Sequence, residues 1–188
     1  MANIEEIKKS IKIENIVVST TTETKLDLSK IVVMFEKAEY NNKRFPGIIY
    51  RATSPKVAIL IFGSGKMVCT GAKKIEDAII GLHKVFEKLE TNGISVQKDP
   101  DTKVHNIVAT ANLGRILNLN SVAVGLGLEN IEYEPEQFPG LVYRLKDKKV
   151  VVLIFTSGRL VITGGKKLED VDIAVERMAL ELDGLNML

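Results

Sequence analysis

The chain has 188 residues, enough for one large domain or two small fused ones, and its 45% apolar content allows a sizeable core. No apolar run reaches the roughly 20 residues of a membrane helix, and the acidic start Met1-Ala2-Asn3-Ile4-Glu5-Glu6 lacks the apolar stretch of a secretory signal. One cysteine, Cys69, excludes an intrachain disulfide framework and a cysteine metal site, so a cytoplasmic protein is expected, and a net charge of +2 is too small by itself to announce a polyanionic partner.

Residues 1–10 form an N-terminal extension with no readable pattern. A strand is expected over residues 11–19, then a helix over about 26–37 with Asp27 and Ser29 near its start. Four strands follow, at about 38–42, 47–53, 57–62 and 66–70, with Ser64-Gly65 as the tight turn between the last two. The pattern Ile75, Ala78, Ile79, Leu82, Val85, Phe86, Leu89 predicts a helix over 73–90, stopped at Asn92-Gly93. A linker at 98–102, containing Pro100, ends the first repeat (11–97), and a second repeat (103–188) begins at Lys103.

That second copy is visible in the residues. VAILIFGSGKMVCTGAKKIED (57–77) recurs 93 positions later as VVVLIFTSGRLVITGGKKLED (150–170), with thirteen of 21 positions identical. Phe45-Pro46-Gly47-Ile48-Ile49-Tyr50-Arg51 recurs as Phe138-Pro139-Gly140-Leu141-Val142-Tyr143-Arg144, and Glu39-Tyr40 as Glu132-Tyr133. Asn15-Ile16-Val17 recurs as Asn106-Ile107-Val108, now 91 apart. Two copies of this length make a pseudo-twofold protein, and each copy reads as an antiparallel sheet with helices on one face, an α+β layer.

Strand side chains alternate between faces. Along 57–62 both sets are apolar: Val57, Ile59 and Ile61 one way, Ala58, Leu60 and Phe62 the other. Two helices per copy cover only one face. The other, with Asn15, Val17, Leu60, Phe62, Val68 and Thr70, has nothing left in the chain to cover it, which marks a binding surface. Aliphatic and Thr side chains in the middle, a lone Asn, and Lys or Arg at the strand ends suit a ligand with a partly apolar floor and anionic edges, as in the DNA minor groove. On periodicity alone a second sheet or a homodimer would serve equally well as the cover.

The pattern Phe-Pro-Gly-x-x-Tyr-Arg, then Leu-Ile-Phe-x-Ser-Gly-Lys/Arg-x-Val-x-Thr-Gly-x-Lys, present twice, resembles the TATA-box-binding protein family over about residues 11–182. The compact length is similar to that of archaeal members. The resemblance implies a saddle: one curved antiparallel sheet of about ten strands, helices on the convex face, and the concave face in the minor groove of double-stranded promoter DNA. It implies that Phe45 with Phe62, and Phe138 with Phe155, wedge between base steps and kink the duplex. It implies base and floor contacts from Asn15, Val17, Leu60, Val68 and Thr70, and from Asn106, Val108, Leu153, Val161 and Thr163. Phosphate contacts are implied for Arg44, Arg51, Lys66 and Lys73, and for Arg144, Arg159 and Lys166; Gln137 stands where a partner of Arg44 would be. The family is not enzymatic, takes no cofactor or metal, and recruits transcription factor B and, through it, RNA polymerase. Glu134 and Glu136 of the second copy's acidic loop are implied to meet transcription factor B, and a homodimer is expected when no DNA is present.

Plainer roles are open for several of these residues. A strand Phe is usually core, a Lys pair at a helix start is usually solvated, and Glu134 and Glu136 need only be exposed. His83 and His105 are too few for a catalytic or metal cluster, Cys69 reads as small core opposite Ile162 of the other copy, and Ser64-Gly65-Lys66 lacks the glycine spacing of a phosphate loop. The competing functional reading is a protein-interaction or DNA-processing accessory domain with a similar fold.

Overall fold

The computed structural model describes residues 3–96, 101–145 and 149–188; linker residues 98–100 lie outside them. The chain divides into two compact units, Asn15–His105 and Met1–Glu14 with Asn106–Leu188. The first runs β1 (Lys12–Thr21), α2 (Leu28–Ile31), β2 (Glu39–Tyr40), β3 (Gly47–Thr53), β4 (Lys56–Phe62), β5 (Lys66–Ala72) and α3 (Ile75–Thr91). The second holds α1 (Ile4–Lys9), then β6 (Lys103–Asn112), α4 (Leu119–Leu126), β7 (Ile131–Glu132), β8 (Leu141–Arg144), β9 (Val151–Ile154), β10 (Arg159–Gly165) and α5 (Leu168–Gly184).

Hydrogen-bonded order in the first unit is β2-β3-β4-β5-β1 and in the second β7-β8-β9-β10-β6, antiparallel throughout. The ten strands and one-sided helices are the α+β repeat architecture the sequence implies. Parity decides burial. On β4, Val57, Ile59 and Ile61 are buried, while Ala58, Leu60 and Phe62 are only half-buried. β5 repeats this with Met67 and Cys69 inside and Val68 and Thr70 half-exposed. The buried set lies under α3, whose Ala78, Leu82, Val85, Phe86 and Leu89 are buried. A side chain grown on Gly81 of α3 would meet Val57 Cγ2 at 2.8 Å, so helix and sheet are in van der Waals contact. In the second unit α5 buries Val171, Ala174, Val175, Met178, Ala179 and Leu182 in the same way. Cys69 is core as expected, and burial pushes its thiol up to about 11.

The helix expected over 26–37 is shorter. Asp27 caps α2, accepting from the Ser29 N–H at 3.2 Å, but after Ile31 the chain tightens to a 3-10 turn, Val32–Met34. The successive β-branched residues Ile31, Val32 and Val33 crowd a helical turn. Phe35 then turns extended and buries its ring 5.0 Å from that of Tyr50. Residues 1–10 contain α1, which packs on α5. Ile7 is buried, Lys8 Nζ lies 2.6 Å from Glu176 Oε2, and the Asn112 N–H donates to Ser10 Oγ at 2.8 Å.

The face assignment is tested by two neighbours. Ile59→Ala should cost about 2–5 kcal/mol of unfolding free energy, and Leu60→Ala distinctly less, about 1 kcal/mol, by denaturant melts. Equal costs would contradict the one-sided cover.

Candidate nucleic-acid interface

Among the described residues each unit leaves one sheet face without helices, and the sequence-predicted floor residues lie on it. Asn15, Val17, Leu60, Val68 and Thr70 in one unit, and Asn106, Val108, Leu153, Val161 and Thr163 in the other, are all half-buried beside fully buried neighbours. Register confirms that they share a face, since Leu60 pairs with Val68 and Leu153 with Val161.

The asparagines are built in. Between the pairs Ile16↔Ala72 and Val18↔Cys69, β5 has one residue more than β1, so Thr70 and Gly71 together oppose Val17. Gly71 takes φ +89, a conformation that favours glycine. Its N–H, lost to the ladder, donates to Asn15 Oδ1 at 2.6 Å. The second unit repeats the bulge at Thr163–Gly164, with φ +90 at Gly164 and its N–H donating to Asn106 Oδ1 at 2.7 Å. Each carboxamide is therefore oriented oxygen-inward. The Nδ2 groups contact Thr70 Oγ1 and Thr163 Oγ1 at 3.2 Å, which leaves one N–H of each amide to donate outward.

The phenylalanines pair. Phe45 and Phe62 have ring centroids 5.6 Å apart, and Phe138 and Phe155 are 5.9 Å apart. Tilted and edge-on contacts of this kind are favourable geometries. Phe138 remains 39% exposed. The pairs need the glycines that follow them. A Cβ on Gly140 would come within 2.7 Å of Phe138 Cε1 and 3.0 Å of Phe155 Cε1, and one on Gly47 within 3.0 Å of Phe45 Cε1.

Arg44, Arg51, Lys66, Lys73, Arg144, Arg159 and Lys166 are exposed. Arg51 and Arg144 are ion-paired: Arg51 Nη1 lies 3.1 Å from Glu39 Oε1, and Arg144 Nη2 lies 3.0 Å from Glu132 Oε2. Glu134 and Glu136 are exposed on the β7–β8 loop. His83 is exposed on α3, and His105 Nε2 lies 2.6 Å from Ser19 Oγ. Among the described residues no three His, Cys, Asp or Glu side chains gather to hold a metal, and no helix is long and apolar enough to cross a membrane. Sequence reasoning did not find the glycines Gly47, Gly71, Gly140 and Gly164 or the glutamates Glu39 and Glu132. The signal was there, since each recurs at the 93-residue period.

Fold and site define a two-repeat α+β protein with an open apolar sheet face, edged by cations and aromatic pairs. Residues 10–92 and 101–185 each match the family described as transcription factor TFIID, or TATA-binding protein. The chain is 54% identical over 181 residues to TATA-box-binding protein 2 of Methanosarcina mazei, covering 96% of this chain and 99% of that one. It is 55% identical over 178 residues to the TATA-box-binding protein of Archaeoglobus fulgidus, covering 95% and 97%. A solved structure of the Methanococcus jannaschii TBP superposes with a TM-score of 0.84 at 49% identity, covering 93% of this chain and 99% of that one. The chain belongs to the TATA-binding protein family, and is accordingly a DNA-binding transcription factor rather than an enzyme.

Gly140→Ala should separate the Phe138 and Phe155 rings with little change in melting temperature, because the clash is with movable rings. Aromatic NMR shifts or a crystal structure of the variant would show it; unmoved rings would mean the glycine is not what seats the pair.

Proposed function

We propose that the chain is a general transcription initiation factor that binds A·T-rich promoter DNA in the minor groove through both helix-free sheet faces. The observation that carries this reading is the bulge-fixed asparagine pair: on an otherwise aliphatic floor, Asn15 and Asn106 each turn an N–H donor outward. A·T pairs present only the adenine N3 and thymine O2 acceptors in that groove, whereas G·C adds an amino donor that Val and Leu side chains cannot satisfy. Preference for A·T sites then comes from two matched donors, exclusion of guanine, and the ease with which T-A steps unstack.

The Phe pairs are the wedges in this reading. Phe45 and Phe62 enter one end of the site, Phe138 and Phe155 the other, and each opens a base step to kink the duplex. Arg44, Arg51, Lys66, Lys73, Arg144, Arg159 and Lys166 hold the phosphates. Val17, Leu60, Val68 and Thr70, with Val108, Leu153, Val161 and Thr163, pack on the sugar and base edges. The exposed loop carboxylates Glu134 and Glu136 face a basic patch of transcription factor B, which brings RNA polymerase to the promoter. Without DNA, a second copy covers the same face. What supports the whole is the match of every floor position in both units to the half-exposed face, together with the family membership.

The direct test is a gel shift with A·T-rich and G·C-rich duplexes across salt concentrations. About tenfold or greater preference for A·T is expected, with affinity falling as salt rises. Phe62→Ala and Phe155→Ala should each reduce bending read by fluorescence transfer between duplex ends. Equal affinity for both duplexes, or unchanged bending, would sink the reading.

Asn106→Asp separates binding from folding. The carboxylate still accepts the Gly164 N–H, so thermal stability should hold to within about 1 kcal/mol. The outward donor becomes an acceptor facing acceptors, and DNA affinity should drop about tenfold or more. Retained affinity would show that the amide does not read the groove.

A further inference from the structure

Glu39 and Glu132 have no place in the binding scheme above, yet they stand on its face. Glu39 pairs with Ile49, and Ile49 with Leu60; Glu132 pairs with Val142, and Val142 with Leu153. Directly paired residues share a face, so both carboxylates lie on the side of the floor residues. Glu39 also lines a recess of about 510 Å³ together with Phe45, Ile49 and Arg44. Each carboxylate holds the arginine two residues further along the neighbouring strand, Arg51 and Arg144, at 3.1 and 3.0 Å. The pairing is the same in both units although the adjoining loops differ: Asn41-Asn42-Lys43-Arg44 is basic, and Glu134-Pro135-Glu136-Gln137 is acidic.

Resting on the DNA-binding reading, we infer that Glu39 and Glu132 occupy the guanidinium groups in place of phosphate and so set how tightly, and with what salt dependence, the protein holds DNA. The pairs are well exposed, with side-chain accessibilities of 59% and 69% for Arg51 and Glu39 and 57% and 67% for Arg144 and Glu132. Exposed pairs of this kind are weak and exchange readily. Each is made through one guanidinium nitrogen, so the fork keeps free N–H donors for an incoming oxyanion. When a phosphate arrives, the carboxylate is displaced but stays close to the new anion. It must then bind a cation or bear the repulsion. Cation uptake at the protein opposes counterion release from the DNA, so the salt slope is shallower than the number of phosphate contacts would give.

The test is DNA binding to an A·T-rich duplex across salt, for wild type, Glu39→Gln, Glu132→Gln and the double variant. Glu87→Gln on α3 serves as a control with the same change of net charge on the helix-bearing side. Each interface variant should bind about 3- to 10-fold more tightly near 0.1 M salt, and its log–log salt slope should steepen by roughly 0.5–1 per carboxylate. In an Arg51→Ala background the gain from Glu39→Gln should shrink. The inference is overturned by weaker or unchanged binding, by a gain no larger than that of Glu87→Gln, or by an undiminished gain without Arg51. If wild type shows no A·T preference at all, the DNA-binding reading itself has failed, which is a separate result.

Discussion

A strand turns successive side chains to opposite sides, so a sheet that is apolar on both sides needs two covers. This chain supplies one per unit. The residues under the helices are fully buried: Ile59 and Ile61 in one unit, Val152, Ile154 and Ile162 in the other. Their alternates Leu60, Val68, Leu153 and Val161 remain half-exposed. Filling the second face with polar side chains would have made it soluble and inert. Keeping it aliphatic leaves hydrophobic free energy ungained until a partner arrives, of the order of 25 cal/mol for each square ångström that is then covered.

An aliphatic face alone would accept almost any apolar surface. Direction comes from the bulge. One extra residue in β5 and in β10 takes an N–H out of the ladder, exposed at Gly71 and part-buried at Gly164, and a main-chain donor so released needs another acceptor, protein or water. The asparagine oxygen satisfies that requirement, and in doing so fixes the amide so that nitrogen is what remains for the ligand. An asparagine free to flip would offer donor or acceptor with equal ease. Anchored by Gly71 and Gly164, it offers only a donor. In the proposed binding mode the backbone defect and the chemical selectivity are therefore one feature, and they depend on glycine at φ near +90, because other residues are strained there.

Much of this was legible in the sequence, for a physical reason. Period-2 alternation and a 93-residue repeat are both written locally, so the succession of strands along each copy and their face parity could be read without coordinates, while the Phe pairs came from the family resemblance. What escaped depends on cross-strand geometry. Nothing in Thr70-Gly71 announces a bulge until β1 is laid beside it, and Glu39 and Arg51 are twelve residues apart until β2 and β3 pair. The helix over 26–37 was overextended because Asp27 and Ser29 mark its start, whereas its early end is set by the β-branched run at Ile31, Val32 and Val33 and by the burial of Phe35. Residues 1–10 carried no signal because α1 is defined by what it touches, Glu176 of α5 and Asn112 of β6, more than by its own six residues.

Charge follows the same logic at longer range. A net charge of +2 is small for a protein that binds a polyanion, but the balance is local: cations stand at strand ends of the open face, and two of them are held by carboxylates on that same face. Unpaired arginines there would attract any nucleic acid, since phosphate contacts carry no sequence information. In the proposed binding mode, partly neutralised ones lower the sequence-independent part of the binding free energy and leave the floor contacts and the duplex's deformability as a larger share of the rest. In that mode the sequence-independent component is common to right and wrong sites and cancels from their ratio, so discrimination rests on the floor contacts and the duplex's deformability while the carboxylates set the overall strength.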